Sequence, residues 1–299
     1  MTDTRPVLVG VDASASARDA AEWAMDLAAL WGAPLELVHV VPGAVGEPPI
    51  SSVPAWLDEL GDAAERTGVT HRTTEVVPGG AVELLSTRAG DCRLLVLGSY
   101  GEGAWSGMLA GSVALGLIGR VTCPVAVVRG QTPGVPPPRG GPIVVGVDGS
   151  PAGRAALAFG ADLAASLGTG VVVVRVWSDV VAGPGGSPHR RHAALSTLAT
   201  EAATALEADL GPVVHAHPGV VVERDVVEET PLRALLGRAG GARMLVVGHR
   251  AASEGSGMLL GSTSRALVEF APCPVVVVRP GPEHATAPPA HAAPAIGEG

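Results

Sequence analysis

Residues 7–12 read Val-Leu-Val-Gly-Val-Asp and residues 143–148 read Ile-Val-Val-Gly-Val-Asp, so one short apolar run ending in aspartate occurs twice. Such a valine-rich run is typical of a strand that is buried on both faces of a parallel sheet. The similarity extends outward, because residues 7–41 align with residues 143–177 at an offset of 136 with 14 identities in 35 positions. The chain therefore repeats the beginning of one fold.

A second aligned stretch covers the other end of each copy. Residues 75–129 align with residues 225–279 at an offset of 150, with 23 identities in 55 positions. The offsets differ by 14, which places one insertion in the second copy between Trp177 and Asp225. This region contains the Gly/Pro-rich stretch 182–188, which is typical of a loop. Two alignments along one chain indicate a tandem duplication.

Composition excludes several classes of protein. The chain has 299 residues, 47% of them apolar and 16% charged, which favours two globular domains over a disordered chain. It contains no lysine and no asparagine, so all 20 basic residues are arginine. This excludes a Walker-A lysine, a protein-kinase lysine, a Schiff base and an N-glycosylation sequon. The net charge of −9 argues against a general nucleic-acid-binding surface.

The cysteine content indicates a reducing compartment, and the lengths of the apolar segments argue against a membrane span. Cys92, Cys123 and Cys273 form no CxxC pair, so neither a disulfide framework nor a cysteine zinc site is predicted. We interpret Cys123 and Cys273, which both precede proline, as small buried packing residues rather than nucleophiles, because no His or Arg nearby in the sequence favours a thiolate. The N-terminus lacks a signal-peptide pattern, and no apolar run approaches the roughly 18 residues of a membrane span. We expect a soluble, cytoplasmic protein that contacts neither nucleic acid nor membrane.

Each copy alternates strands and helices, which predicts α/β domains with a doubly wound parallel sheet and right-handed crossovers. Ser14 and Ser150 are predicted helix N-caps, and Gly32 and Gly168 are predicted C-terminal glycines. The predicted strands lie at 7–11, 35–41, 70–77, 93–97 and 124–129, and at 143–147, 171–177, 220–227, 243–247 and 274–279. The predicted helices lie at 14–32, 54–67, 80–89 and from Gly111, and at 150–168, 190–209, 231–239 and from Gly261.

These elements group into domains at 1–129 and 142–280. The segment 130–141 is rich in proline and glycine, which predicts a semi-rigid linker between the domains. The segment 281–299 consists largely of Pro, Ala and Gly, and we expect it to be a disordered tail.

A glycine-rich pattern after the fourth strand is the clearest candidate for a binding site. The first copy reads Gly98-Ser-Tyr-Gly101, nine residues, then Gly111-Ser112; the second reads Gly248-His-Arg-Ala251, nine residues, then Gly261-Ser-Thr-Ser264. A strand end, a loop and a helix start bring backbone N–H groups and hydroxyls close to an anion. The pattern predicts a phosphate-binding cradle that needs no lysine. A glycine-rich surface loop before a capped helix is an equally good interpretation of one copy alone.

Aspartate follows the first strand in both copies, as Asp12 and Asp148. Ligands of open α/β sheets bind beyond the carboxyl ends of the strands, where a carboxylate can reach ribose, base or Mg²⁺. The alternative is that the aspartate forms an Asx turn or a helix cap. For one aspartate considered alone, this alternative is the better interpretation. Asp179, just beyond the second strand, is a further candidate for the ribose hydroxyls, and its counterpart Gly43 lacks a carboxylate.

Together these motifs resemble the universal stress protein family, in its tandem form, over residues 5–129 and 142–279. The family pattern is a first strand ending in Asp, then G-x2-G-x9-G-[ST], then a Cys-Pro-Val-type last strand, and all three occur twice. The resemblance implies a Rossmann-like, five-stranded sheet in each domain, ATP between the first and fourth strands, and domains that meet through their last strands. It also implies a homodimer.

The resemblance implies one set of ATP contacts in each copy. In the first copy they are Gly10, Asp12, Val40, Gly98, Ser99, Tyr100, Gly101, Glu102, Gly103, Ala104, Gly111, Ser112 and Val113. In the second copy they are Gly146, Asp148, Val176, Asp179, Gly248, His249, Arg250, Ala251, Ala252, Ser253, Glu254, Gly261, Ser262, Thr263 and Ser264.

The two copies depart from the pattern differently. Ala251 replaces the second motif glycine, and Ala114 stands where the second copy has Ser264, which removes one hydroxyl donor from the first cradle. We therefore predict that the copies bind ATP unequally. His215 and His217 lack carboxylate or thiolate partners at ligand spacing, so we interpret them as surface residues rather than metal ligands.

The resemblance therefore implies an ATP-binding regulatory or protective protein of the stress response, with Mg²⁺ held near Asp12 and Asp148. No motif residue is an evident general base, and the only glutamine, Gln131, lies in the linker, so we expect no enzyme activity beyond slow ATP hydrolysis. One alternative is a nucleotide-free interaction scaffold. Another is an ATP-cleaving or nucleotidyl-transferring enzyme, but the loops after the first strands lack HxGH-type and SGGxDS-type motifs.

Overall fold

A computed structural model describes residues 3–44, 50, 52–101, 111–132, 134–178, 180–182, 188–190, 195–249 and 261–280. The first half contains β1 Val7–Val11, α1 Ala15–Trp31, β2 Leu35–Val41, α2 Ala55–Arg66, β3 Arg72–Pro78, α3 Ala81–Arg88, a 3₁₀ turn Ala89–Asp91, β4 Leu94–Gly98, α4 Ser112–Ile118 and β5 Val125–Val128. The second half contains β6 Ile143–Val147, α5 Pro151–Leu167, β7 Val171–Trp177, β8 Val180–Ala182, β9 Pro188–Arg190, α6 Leu195–Ala216, β10 Val222–Glu228, α7 Pro231–Ala239, β11 Met244–Gly248, α8 Ser262–Phe270 and β12 Val275–Val278.

Ten strands form one continuous sheet in the order β10-β7-β6-β11-β12-β5-β4-β1-β2-β3. Strands within each half are parallel, and the strand order reverses between β1 and β4 in the first half and between β6 and β11 in the second. The predicted α/β fold is confirmed. In such sheets the crevice at the point of reversal is the usual ligand site.

Helices cover both faces of the sheet because successive strand residues point to opposite sides. Val7 and Val9 belong to the core beneath α1, α2, α5 and α6, whereas Leu8 belongs to the core beneath α3, α4, α7 and α8. The predicted caps of α1 and α5 are also confirmed. The Ser14 and Ser150 hydroxyls accept from Ala17 N and Gly153 N at 3.1 and 3.0 Å.

The two halves meet where β5 and β12 pair antiparallel, with Ala126 opposite Val276. An arginine after each strand then crosses to the other half. The Nη1 atom of Arg129 donates to Glu269 O at 2.5 Å, and the Nη2 atom of Arg279 donates to Gly119 O at 2.5 Å. Glu269 and Gly119 lie at the C-terminal ends of α8 and α4, where backbone carbonyls lack helical partners and a cation is favourable.

The region of the 14-residue insertion differs from the prediction. The helix predicted at 190–209 spans Leu195–Ala216 and includes Pro212, because Leu210 and Val213 continue its buried face against the sheet. Before it, β8 and β9 pair antiparallel at the two ends of the stretch that was predicted to be only a loop. Most of the insertion therefore lengthens α6, which has 22 residues, relative to α2, which has 12.

In the part of the chain that the structure describes, no helix combines the length and the apolar character that crossing a membrane requires. The predicted tail 281–299 lies outside the described residues.

We predict that Arg129→Met and Arg279→Met each lower the free energy of unfolding by about 1–3 kcal/mol, because each leaves helix-end carbonyls without their charged donor. Urea denaturation monitored by circular dichroism measures this loss. Arg233→Met is the matched control, since the Arg233 side chain is 81% exposed. Equal stability of all three variants and the wild type would contradict an energetic role for the crossing arginines.

Candidate functional site

Each half has a cavity at the carboxyl ends of its strands, at the point where the strand order reverses. The second-half cavity has a volume of about 330 Å³, and Val174 and Val176 contribute apolar surface to it. The first-half cavity has a volume of about 440 Å³, and Val38 and Val40 lie in the corresponding places. Both volumes are in the usual range of small-molecule sites.

The aspartates after β1 and β6 line these cavities and also shape their walls. The Oδ1 atom of Asp12 accepts from Ser14 N at 3.0 Å, and that of Asp148 accepts from Ser150 N at 3.0 Å. Both are therefore Asx turns, the structural alternative considered from the sequence. Gly101 approaches Asp12 so closely that an added Cβ would lie 2.8 Å from Oδ2. The turn and the cavity wall are thus one feature.

The first glycine of each motif has a packing role. A Cβ added at Gly98 would lie 2.8 Å from the carbonyl carbon of Ser16 in α1. A Cβ added at Gly248 would lie 2.5 Å from that of Ala152 in α5. These contacts are with backbone atoms, which cannot move without displacing the helix. Glycine at these positions therefore lets the helix approach the end of its neighbouring strand.

The third glycine of each motif has no such packing role. Gly111 and Gly261 have φ of −69° and −55°, so any residue fits their backbone conformation. Among the described atoms, a Cβ at Gly261 would meet none within 4 Å, and the nearest atom to one at Gly111 would be Ser99 O at 3.7 Å, an ordinary van der Waals distance. Both glycines line the cavities. Because these glycines lack a side chain, the cavity wall stays open beside backbone N–H groups.

Hydroxyl groups at the start of α8 differ from the expected arrangement. Ser262 and Thr263 line the second cavity, where the first has Ser112 and Val113. Ser264, predicted as an extra phosphate donor, instead donates its Oγ hydrogen to Gly248 O at 3.2 Å. The additional hydroxyl of the second cradle is therefore that of Thr263.

Ser99 and His249 follow the first motif glycine but do not line the cavities, although both were predicted contacts. The backbone N–H of Ser99 donates to Ser16 Oγ at 2.8 Å, and that of His249 donates to Val278 O at 2.7 Å. Both N–H groups are thus used within the protein. The prediction assigned them to the ligand because sequence order alone does not show which backbone groups already have partners.

His249 occupies a buried position that sequence reasoning did not identify. It is 1% exposed, and no described group forms a hydrogen bond with its Nε2 atom. Burial lowers the pKa of His249, and the nearby Arg279 lowers it further. In the first half, the serine pair Ser16 and Ser99 replaces Ala152 and His249, with their hydroxyls 3.3 Å apart. The equivalent buried space is therefore filled by different side chains in the two halves.

On the face of β2 and β7 opposite to the lining valines, the two halves carry different polar clusters. Arg175 at the end of β7 forms an ion pair with Asp209 of α6 at 3.1 Å, and Arg154 donates to Gly149 O at 2.6 Å. In the first half, His39 stands in place of Arg175. Its ring meets that of Trp56 edge-on at 5.0 Å, and its Nδ1 lies 2.9 Å from Val11 O. Sequence periodicity gave no signal for either cluster, because both join side chains of separate elements.

Most predicted site residues of the described ranges converge on the cavities. They are Gly10, Asp12, Val40, Gly98, Tyr100, Gly101, Gly111, Ser112 and Val113 in the first half, and Gly146, Asp148, Val176, Gly248, Gly261, Ser262, Thr263 and Ser264 in the second. Outside the described residues lie Glu102, Gly103, Ala104, Asp179, Arg250, Ala251, Ala252, Ser253 and Glu254. Within the described ranges, no three His, Cys, Asp or Glu side chains cluster as a metal site.

Comparison with known proteins decides the family. Residues 3–129 and 141–279 each match the family model described as "Universal stress protein family". The chain belongs to this family. Universal stress protein Rv2623 of Mycobacterium tuberculosis is 34% identical over 292 residues, covering 91% of this chain and 96% of that protein.

Two solved structures of universal stress proteins are similar to this chain, and the first shares its fold. One from Archaeoglobus fulgidus covers 93% of this chain and 99% of its own, with a TM-score of 0.63 at 19% identity. Another, described as a universal stress protein in complex with cAMP, covers 42% of this chain and 98% of its own, with a TM-score of 0.35 at 28% identity.

We predict opposite tolerance at the two glycines of the second motif in this universal stress protein. Gly248→Ala should lower the free energy of unfolding by roughly 1–3 kcal/mol, because the methyl group overlaps the backbone of α5. Gly261→Ala should change it by less than about 0.5 kcal/mol, because its methyl group enters open space. Urea denaturation of both variants measures the difference, and equal losses would contradict the separate roles.

We predict that His249 makes stability fall as the pH drops from 7 to 5. The folded protein holds the ring neutral, whereas the unfolded chain takes up a proton near pH 6.5, so acid favours unfolding by up to about 1.4 kcal/mol per pH unit. The double variant Ala152→Ser/His249→Ser copies the arrangement of the first half and should lose less stability over this interval. Urea titrations at pH 7 and pH 5 compare the two proteins, and identical losses would refute the assignment to His249.

Proposed function

We propose that this universal stress protein binds ATP with Mg²⁺ in both halves and serves as a regulatory or protective module of the stress response. The observation that carries the proposal is the pair of cavities at equivalent points of strand reversal. Each is lined by an aspartate, apolar valines and a motif glycine whose side-chain space is open. The close approach of a helix explains why Gly98 and Gly248 are glycines, but no packing contact of this kind explains Gly111 and Gly261.

The residues present fit the chemistry of a nucleotide. Val38 and Val40, or Val174 and Val176, offer apolar surface to a base. Backbone N–H groups after Gly111 and Gly261 would hold phosphate oxygens, which approach closely only where no side chain intervenes. The carboxylates of Asp12 and Asp148 would take a ribose hydroxyl or Mg²⁺, which prefers oxygen ligands.

The proposed role of ATP is that of a bound signal rather than a fuel. Asp12 and Asp148, the described carboxylates that line the cavities, each accept a hydrogen bond from their own turn, which holds them in place. A carboxylate oxygen that the turn already engages is placed for binding rather than for taking a proton from an attacking water. We therefore propose hydrolysis that is slow at most, with the protein acting through its ligand-bound state.

We further propose that the second half binds ATP more tightly. Thr263 adds a hydroxyl where the first half has the apolar Val113, and one additional hydrogen bond is worth about 0.5–1.5 kcal/mol, or roughly a factor of 2–10 in affinity. The helix α8 has nine residues whereas α4 has seven, so the second cradle begins a longer helix. Thr263→Val should bring the two affinities together.

Calorimetry of the full chain, stripped of co-purified nucleotide, tests the proposal with ATP and Mg²⁺. The wild type should bind two equivalents, while Gly111→Glu and Gly261→Glu should each lose one, because a carboxylate would occupy the phosphate position. Gly90→Glu and Gly219→Glu add the same charge at exposed glycines that have open surroundings, and should keep both sites. Titration with cAMP measures whether a single cyclic phosphate is enough.

Two outcomes would overturn the proposal. Absence of binding by folded, stripped wild type would favour the alternative of a nucleotide-free scaffold, which the packing roles of Gly98 and Gly248 also fit. Binding that both glutamate variants retain would place the nucleotide elsewhere. Circular dichroism spectra that match the wild type show that each variant is folded.

A further inference from the structure

Two cysteines lie together at the edge of the sheet opposite the cavities. Cys92 lies just before β4, and Cys123 lies two residues before β5, so both mark the starts of neighbouring parallel strands. Their Sγ atoms are 3.2 Å apart, although 31 residues separate them in the chain. Cys92 is 1% exposed and Cys123 is 7% exposed. The two cysteines do not form a CxxC pattern in the sequence. They become neighbours because β4 and β5 pair in the sheet.

The surroundings of the pair make its two sulfurs unequal. The Cys92 thiol donates a hydrogen bond to the Cys123 sulfur, which lowers the pKa of Cys123 and raises that of Cys92. Burial raises the pKa of both thiols, while the guanidinium of Arg5 acts in the opposite direction on both. One sulfur is therefore favoured as the thiolate, and the other is placed beside it as a proton donor.

The second half provides an internal comparison. Cys273 is the counterpart of Cys123, but Ala242 stands where the first half has Cys92. Cys273 is fully buried, and burial raises its pKa to about 12. The same strand start thus carries a pair of thiols in one half and a single, protonated thiol in the other. Any reaction that needs two adjacent sulfurs belongs to the first half.

We propose that Cys92 and Cys123 are an oxidisable dithiol that hydrogen peroxide, or another small hydroperoxide, converts into an intramolecular disulfide. The Cys123 thiolate attacks one peroxide oxygen, the O–O bond breaks, and a sulfenic acid and hydroxide form. The Cys92 sulfur then attacks the sulfenic sulfur as its proton leaves with the departing hydroxyl group as water. In sum, two thiols and one hydrogen peroxide give one disulfide and two waters, with sulfur oxidised and peroxide reduced.

The sheet geometry favours this reaction over oxidation between molecules. Leu95 pairs with Val125, and Leu95 N donates to Pro124 O at 3.0 Å, so the backbone beside both cysteines is already held together. Closing a 3.2 Å separation requires only small side-chain movement. The resulting bond would tie β4 to β5, the strand that joins the two halves. It would leave the cavities unchanged, because they lie at the other ends of these strands.

The test treats the reduced full chain with hydrogen peroxide, alkylates remaining thiols with N-ethylmaleimide under denaturing conditions, and maps peptides by mass spectrometry without reduction. We expect the number of free thiols to fall from three to one, a cross-linked peptide pair containing Cys92 and Cys123, and full alkylation of Cys273. Reduction with dithiothreitol should restore three thiols.

Two variants give matched controls. Cys92→Ala copies the second half and should abolish the cross-link while the protein stays folded. Ala242→Cys copies the first half and should create a second peroxide-dependent cross-link, to Cys273. Three alkylated thiols in peroxide-treated wild type, oxidation of Cys273 at the same rate as Cys123, or covalent dimers in place of the internal cross-link would each overturn the proposal. None of these results depends on nucleotide binding.

Discussion

The need to cover both faces of a ten-stranded sheet organises this protein. Valine-rich strands place side chains alternately into two cores, so each face requires its own layer of helices. Parallel strands need crossover helices, and these supply the layers. The same connections bring the carboxyl ends of β1 and β4, and of β6 and β11, to one edge of the sheet. The cavities are a consequence of this arrangement.

Duplication produced two halves that share one architecture but differ in the side chains that pack within it. The strand-end glycines Gly98 and Gly248 keep the same close approach to a helix in both halves. Beneath them, paired serine hydroxyls in one half correspond to an alanine and a buried histidine in the other. Close packing constrains the shared volume more strongly than the identity of each side chain. This leaves the chemistry of the two sites free to diverge.

The parallel sheet also separates two kinds of chemistry. The groups proposed to bind phosphate lie at the carboxyl ends of the strands, where loops and helix starts present backbone N–H groups. The paired thiols Cys92 and Cys123 lie at the amino ends of β4 and β5. Between them, the central strands carry the antiparallel junction of β5 and β12, which makes one body from two halves. A covalent change at one edge therefore need not disturb the other.

The sequence alone determined the duplication, the α/β class, the helix caps and most residues of the two cavities, because periodicity, glycine spacing and strand-end aspartates are local signals. It did not reveal that the backbone N–H groups of Ser99 and His249 donate to Ser16 Oγ and Val278 O. It also failed to end α6 correctly, since the burial of Leu210 and Val213 outweighs the helix-breaking tendency of Pro212. Tertiary structure alone gave Ser99 N and His249 N their partners and brought Cys92 beside Cys123, because such contacts join residues that are distant in the chain and become neighbours only when the sheet forms.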